Sequence, residues 1–261
     1  MKTMLLLSAT AGILGTGIGG ILGLFFAEGT KRMLHCMMAF AAGIMISIVS
    51  FELMPEAMAL GGVTHGALGM VLGILAMLAM SCMVEWVIRR GWGKQAALRR
   101  VQELNRRGQV LTAGNKALYK SGMIMLIAIS LHNLPEGIAI GSGGAHELKL
   151  GVGIAFAIAL HDVPEGMAIS APLVAGGMRR WHVVILTALS GLSTIFGAAV
   201  GFALGGVSPT VTSYSISSAA GAMLYVVFGE VFPETVNDAE DKSASIAAIV
   251  GFLLGMLFIE F

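Results

Sequence analysis

The sequence predicts an all-α membrane protein with eight transmembrane helices. Three observations support this fold class. Of the 261 residues, 56% are hydrophobic and only 12% are charged, about half the charged fraction of a typical soluble domain. Apolar segments of about 20 residues, the length that crosses a bilayer, recur along the whole chain. Basic residues gather in alternate connections between these segments, as they do in the cytoplasmic loops of membrane proteins.

Eight segments meet the length criterion, and only one connection between them is long. We predict spans at residues 4–26, 35–58, 65–88, 122–143, 150–174, 182–205, 212–235 and 244–260, with a basic loop over residues 89–121. Residues 1–261 then form a single transmembrane domain. The first segment has a second interpretation as a signal peptide, since Lys2 precedes a leucine run and "SATA" offers a cleavage site. Its apolar stretch continues to Phe26, which favours a transmembrane helix.

The distribution of basic residues predicts the orientation. If the amino terminus lies outside, all of the 16 lysines and arginines except Lys2 and Lys149 fall on the inner side, as the positive-inside rule requires. A miscount of one span would scatter these charges over both faces, so the bias also supports the number eight. We therefore expect both termini to be extracytoplasmic and the loop 89–121 to be cytoplasmic.

The long basic loop has two interpretations. Leu98, Val101 and Leu104 recur at helical spacing between arginines, which is typical of an amphipathic helix on anionic lipid. A solvated basic loop that only fixes the topology is the other interpretation.

Cysteine, methionine and glycine are interpreted as packing residues. Cys36 and Cys82 belong to no CxxC pair, and we expect both to be small buried residues. The 18 methionines are spread over nearly every span, which favours core filling and lipid contact over metal binding. Gly15, Gly19 and Gly23 are four apart, which predicts close helix packing.

The most informative feature is a motif that occurs twice. The chain reads HNLPEGIAIG from His132 and HDVPEGMAIS from His161. Ionisable residues at bilayer depth are costly and are usually functional. Residues three and four apart share a helix face, and the fourth and fifth spans are antiparallel. We therefore expect one cluster of ligand-type side chains, formed by His132, Asn133, Glu136, His161, Asp162 and Glu165.

The residue types in the repeated motif predict a metal centre. Imidazole and carboxylate groups suit Zn²⁺, Fe²⁺ or Mn²⁺, and no thiolate is present to favour Cu(I). Each glutamate has neighbours that would let it bridge two ions. Pro135 and Pro164 are expected to kink the helices, and Gly137 and Gly166 to allow close approach. Polar clusters that merely hold helices together are the alternative, but they do not explain six such residues repeated at one spacing.

A second pair of sequences indicates an inverted repeat. The second span ends FELMPEAM, which contains Glu52 and Glu56, and the seventh ends GEVFPETV, which contains Glu230 and Glu234. One E-x-x-P-E sequence lies at the outer end of a span and the other at the inner end. Inverted repeats with midplane sites are typical of secondary transporters. Helix-ending prolines beside solvated acids are the alternative interpretation.

At these residues the sequence resembles the ZIP (Zrt-, Irt-like protein) family of divalent metal importers, in particular its short bacterial members. The resemblance covers essentially the whole chain. It implies a 3+2+3 arrangement, in which the first and last three helices are related by inversion around the fourth and fifth. It also implies a multi-pass homodimer in the plasma membrane that takes up Zn²⁺, with Fe²⁺, Mn²⁺ or Cd²⁺ also accepted. We expect no cofactor, no enzymatic activity and no nucleic-acid partner.

The resemblance also implies roles for single residues. One ion would be held by His132, Glu136, His161 and Glu165, and a neighbouring ion by Asn133, Glu136, Asp162 and Glu165. Glu230 and Glu234 match ligands of the exit path, and Glu52, Glu56 and Thr194 are further candidates for the pathway. In "SGLSTIFGA", Thr194 and Ile195 stand where the family has Glu and Pro. This departure weakens the prediction of a second ion.

Two other functions remain open at this point. An intramembrane metallohydrolase also uses His and Glu ligands with an open position. It needs a general base beyond the ligands, whereas every nearby acid is already used and the repeated motif has no catalytic asymmetry. A passive metal channel is the second alternative, and the residues do not separate it from a carrier.

Overall fold

A computed structural model of the chain describes residues 1–26, 31–89, 113–235 and 242–259. Every regular element in these ranges is helical, which confirms the all-α fold class. Most of the predicted basic loop, including Leu98, Val101 and Leu104, falls on residues 90–112 and therefore lies outside the described residues.

The helices follow the predicted spans, with some extensions. They are α1 (Lys2–Ala9), α2 (Gly15–Phe26), α3 (Lys31–Ile48), α4 (Met54–Arg89), α5 (Ala113–His146), α6 (Leu148–Ala175), α7 (Arg180–Ser190), α8 (Leu192–Gly205), α9 (Pro209–Val226), α10 (Phe232–Thr235) and α11 (Ser243–Ile259). Within the described ranges, π-helical turns at Thr10–Leu14, Val49–Leu53 and Val227–Val231 join α1 to α2, α3 to α4 and α9 to α10. Helices α7 and α8 meet at Gly191.

Local chemistry explains several helix boundaries. The Ser208 side chain accepts a hydrogen bond from the Val211 backbone N–H (3.2 Å) and caps α9, while Pro209 occupies the first turn, where its missing N–H costs nothing. Glu147 alone separates α5 from α6, with an extended backbone (φ −143°, ψ 131°). This short connection makes α5 and α6 antiparallel neighbours.

Six helical stretches are long and apolar enough to cross a membrane. They are Lys2–Phe25, His35–Met83, Leu118–His146, Leu148–Ala175, Arg180–Gly205 and Pro209–Val231, and the apolar stretch Ser243–Leu257 is shorter. His35–Met83 has 49 residues, more than twice the roughly 20 that one crossing needs. It is broken at Gly62, whose φ of 79° and ψ of 165° suit glycine only. The predicted spans 35–58 and 65–88 lie on either side of this break.

Helix α6 lies at the centre of the molecule. It packs against α2, α3 and α5, and the other tight pairs are α5 with α8, α4 with α9, and α3 with α11. The largest apolar core lies between α3, α6 and α9, where Ile48, Ile158 and Met223 are fully buried.

Glycines let these helices touch backbone to backbone. A Cβ atom at Gly137 would collide with the Thr194 carbonyl of α8, and one at Gly166 with the Thr16 carbonyl of α2. Gly19 similarly faces the Val163 carbonyl of α6. The predicted packing role of the motif glycines and of the glycine series in the first span is therefore confirmed.

The prediction that both cysteines are buried is wrong. Cys36 is half-buried and Cys82 is exposed, and both are free thiols. A membrane explains the error, because a small apolar side chain that faces lipid tails needs no protein core around it.

Candidate metal centre

Five of the six motif side chains, all except Asn133, meet at one place between α5 and α6. All six are buried, and Asn133, Glu136, His161 and Asp162 have no exposed surface. Helix α5 carries His132, Asn133 and Glu136, and helix α6 carries His161, Asp162 and Glu165. Both helices remain helical through their motif prolines, Pro135 and Pro164. The expected convergence of the two motifs is therefore present in the fold.

Glu136 joins two groups of potential ligands. One group is His132, Glu136 and Glu165, and the other is Glu136, His161 and Asp162; the ligand atoms of each group lie within 4.8 Å of one another. His161 Nε2 lies 2.6 Å from Glu136 Oε1. His132 Nε2 lies 3.4 Å from Glu136 Oε1 and 3.3 Å from Glu165 Oε1.

This grouping differs in one detail from the ligand set that the resemblance implies. His161 clusters with Asp162, and not with His132 and Glu165. The reason is the position of Glu136, whose Oε1 atom contacts the imidazoles of both His132 and His161. Glu136 is thus the residue that both groups share.

Several oxygens of the cluster lack hydrogen-bond partners. Among the described residues these are both carboxylate oxygens of Asp162, Asn133 Oδ1 and the Oε2 atoms of Glu136 and Glu165. Asp162 Oδ1 lies 3.7 Å from His161 Nε2, which is too far for a hydrogen bond. Buried oxygens without donors are costly, and several of them around two imidazoles suit a divalent cation.

Thr194 lies beside the motif of α5. It is fully buried in α8, its carbonyl packs on Gly137, and its Oγ1 atom has no hydrogen-bond partner among the described residues. Asn133 also reaches this helix pair, since its Nδ2 atom donates to the Ser190 carbonyl at 3.4 Å. The sixth span therefore adjoins the motif of α5 at Thr194.

A cavity of about 80 Å³ connects the cluster with Glu230. Its wall contains His132 and Glu165 from the cluster, and Glu230 accepts a hydrogen bond from Ser81 Oγ (2.8 Å). The remaining lining is apolar and includes three methionines, Met38, Met45 and Met125. The sequence offered no signal for these three methionines, because they resemble the other fifteen and only packing brings them together.

Comparison with known proteins identifies the family. Residues 100–261 match the family model described as ZIP Zinc transporter. The zinc transporter ZupT of Akkermansia muciniphila is 32% identical over 258 residues, which cover 97% of this chain and 93% of that protein. ZupT of Chlorobium luteolum is 33% identical (98% and 94% covered), and that of Escherichia coli 31% (96% and 93%). The chain belongs to the ZIP family.

Membership decides between the function classes that the sequence left open. The ZIP relatives are transporters and not enzymes, so the metallohydrolase alternative is excluded. Together with the long apolar helices, membership makes this chain a multi-pass membrane protein and supports divalent metal transport.

The remaining candidates for the ion pathway of this ZIP chain lie at opposite ends of the molecule. Glu230 lines the cavity, whereas the side chain of Glu234 lies outside the described part of the chain. Glu56 Oε1 lies 3.2 Å from His146 Nε2, at the end of α5 far from the cavity. Glu52 Oε1 lies beside Gly153 of α6, 2.9 Å from where a Cβ atom would be. His146 was not predicted, although a histidine at the end of a motif helix was a signal.

Proposed function

We propose that this ZIP chain takes up Zn²⁺ into the cytoplasm through the centre between α5 and α6, with Fe²⁺, Mn²⁺ and Cd²⁺ as further candidate ions. The observation that carries the proposal is the convergence of two buried imidazoles and two further buried carboxylates on Glu136. Relatives named zinc transporters at about one-third identity support zinc as the ion.

The cavity supports release towards the cytoplasm. Its lining residues on α3 and α5, such as Met38 and Met125, belong to the first halves of the predicted spans 35–58 and 122–143. These halves adjoin basic segments of the sequence, which face the cytoplasm by the positive-inside rule. Glu230 is then the first ligand that an ion meets after leaving His132 and Glu165, and Glu234 follows it on the exit path.

The packing supports eight spans in a 3+2+3 inverted repeat. Counting His35–Met83 as two crossings and adding α11 gives eight spans in one transmembrane domain of residues 1–261. Inversion exchanges the first three spans with the last three and α5 with α6. It converts the pair α2–α6 into α8–α5, and the pair α4–α9 into α11–α3, and all four are tight pairs. Thr16 against Gly166 corresponds in the same way to Thr194 against Gly137.

We further propose that the chain acts as a homodimer in the plasma membrane with both termini extracytoplasmic. The support is family membership together with the distribution of basic residues.

Uptake into proteoliposomes tests the function. The purified protein should move Zn²⁺ to an internal fluorescent indicator faster than protein-free vesicles do. Fe²⁺, Mn²⁺ and Cd²⁺ added outside should slow this signal in the order in which they are transported. Zinc flux equal to that of empty vesicles, with the protein folded and inserted, would contradict the proposal.

A further inference from the structure

A second set of metal-ligating side chains lies at the end of α5 opposite the cavity. His146 and Glu56 are 41% and 29% exposed at their side chains, and His146 Nε2 lies 3.2 Å from Glu56 Oε1. We propose that this pair forms an outer acceptor site for a divalent cation, with Glu52 as the next ligand on the way to the centre. This inference rests on the proposed function, because it assigns the step that precedes binding at the centre.

The spacing of the pair suits one shared ion. A tetrahedral zinc ion bonded to a nitrogen and an oxygen at about 2.0–2.2 Å holds the two ligand atoms roughly 3.3 Å apart. The observed separation of 3.2 Å therefore allows coordination without rearrangement of either helix. Partial exposure leaves the other coordination positions to water, so binding is weak and exchange with the outside is fast.

Glu52 extends the outer site towards the centre. It lies four residues before Glu56, and residues at this spacing share a helix face. Its carboxylate is half-buried and has no hydrogen-bond or ion-pair partner within the described ranges. The Oε1 atom faces Gly153, which lies eight residues before His161 in α6, or roughly 12 Å along the helix axis. An ion released from His146 has Glu52 as its next anionic ligand.

A glutamate in a π-helical turn occurs at both ends of the molecule. Glu52 lies in the π-helical turn Val49–Leu53, and Glu230 lies in the π-helical turn Val227–Val231. Each turn precedes a proline, which lacks the N–H that an α-helix would use at that point. Glu230 faces the cavity beside the centre, and Glu52 occupies the corresponding position on the outer side.

The pair could instead be a structural contact that only holds α4 against α5. The two roles differ in their kinetics, because a ligand determines how zinc is captured, whereas a structural contact determines how fast the helices move. A capture role predicts a change in the KM for zinc uptake at nearly constant kcat. A structural contact predicts a change in kcat.

The test compares the variants Glu56→Gln and His146→Gln with the control variant Glu147→Gln. Glu147 is an exposed carboxylate beside the pair, and its replacement removes the same charge as Glu56→Gln. Zinc uptake into proteoliposomes should show a KM raised roughly tenfold in the first two variants, with kcat within about twofold, and an unchanged KM in the control. Glu52→Gln should raise KM less, because it removes the second ligand and not the first. Equal KM values in all variants, or a loss of kcat alone, would overturn the proposal.

A binding measurement separates this inference from the proposed function. In detergent, a Glu136→Gln protein with its centre weakened should still bind a weakly held Co²⁺ ion, detected by its visible absorption. Adding His146→Gln should remove that absorption. If Co²⁺ absorption is the same with and without His146, the outer site is absent, even if the protein transports zinc. Absent zinc flux in the wild type together with the predicted absorption would instead contradict the proposed function alone.

Discussion

At the scale of the residue, the proposed metal centre depends on the position of Glu136. One carboxylate oxygen contacts two imidazoles from two different helices. The second oxygen has no hydrogen-bond partner among the described residues. A glutamine at this position would offer a neutral amide in place of a carboxylate, which removes one negative charge that attracts a divalent ion. We therefore expect Glu136 to contribute more to metal binding than His132, which belongs only to the first ligand group.

We expect Thr194 to limit the number of ions that the proposed centre holds. The carboxylates of the centre are Glu136, Asp162 and Glu165. With one divalent ion bound the centre keeps a net negative charge, and with two it would have a net positive charge. A net positive charge in the membrane interior is costly, and a threonine hydroxyl cannot reduce it. We predict one tightly bound ion in the cluster around Glu136, the residue that both ligand groups share, and an increase towards two in Thr194→Glu. Elemental analysis of the purified proteins measures the stoichiometry, and two tight ions in the unmutated chain would contradict this prediction.

At the scale of the element, helix contacts at glycine hold the motifs in register. Gly137 has no room for a Cβ atom against α8, so Gly137→Ala should separate α5 from α8. Overpacking of this kind costs about 1–3 kcal/mol and should lower the thermal midpoint and the zinc flux together. Gly206→Ala is the matched control, since its Cβ atom would meet only the Phe202 carbonyl at 3.6 Å. Equal thermal midpoints for the two variants would show that the close contact is unimportant.

Hydropathy and spacing were sufficient to predict the long apolar helices and five of the residues that converge, because both follow from the length of a membrane span and the period of a helix. The remaining features depend on contacts between distant segments. Nothing in the sequence distinguishes Met45, which lines the cavity, from a methionine in lipid. The exposure of Cys82 and the pairing of His146 with Glu56 likewise result from packing.

At the scale of the whole molecule, the topology determines which way the cavity opens. We predict that the long basic loop faces the cytoplasm. A single cysteine placed at Gln109, in a chain whose Cys36 and exposed Cys82 have been replaced, should react with a membrane-impermeant reagent only after the cells are opened. The cysteine-free chain serves as the background control. Labelling of intact cells would reverse the orientation and make Glu230, not Glu56, the outer residue.

The central claim is that zinc crosses the membrane through the cluster around Glu136, and zinc flux through Glu136→Gln tests it most directly. The change removes the carboxylate that both ligand groups share while keeping its size. Initial rates of Zn²⁺ uptake into proteoliposomes should fall at least tenfold. A tenfold fall corresponds to an increase of about 1.4 kcal/mol in the activation free energy of transport. Glu147→Gln, an exposed glutamate in the connection between the same two helices, should keep the wild-type rate. Wild-type flux in a folded Glu136→Gln protein would show that the ion takes another route.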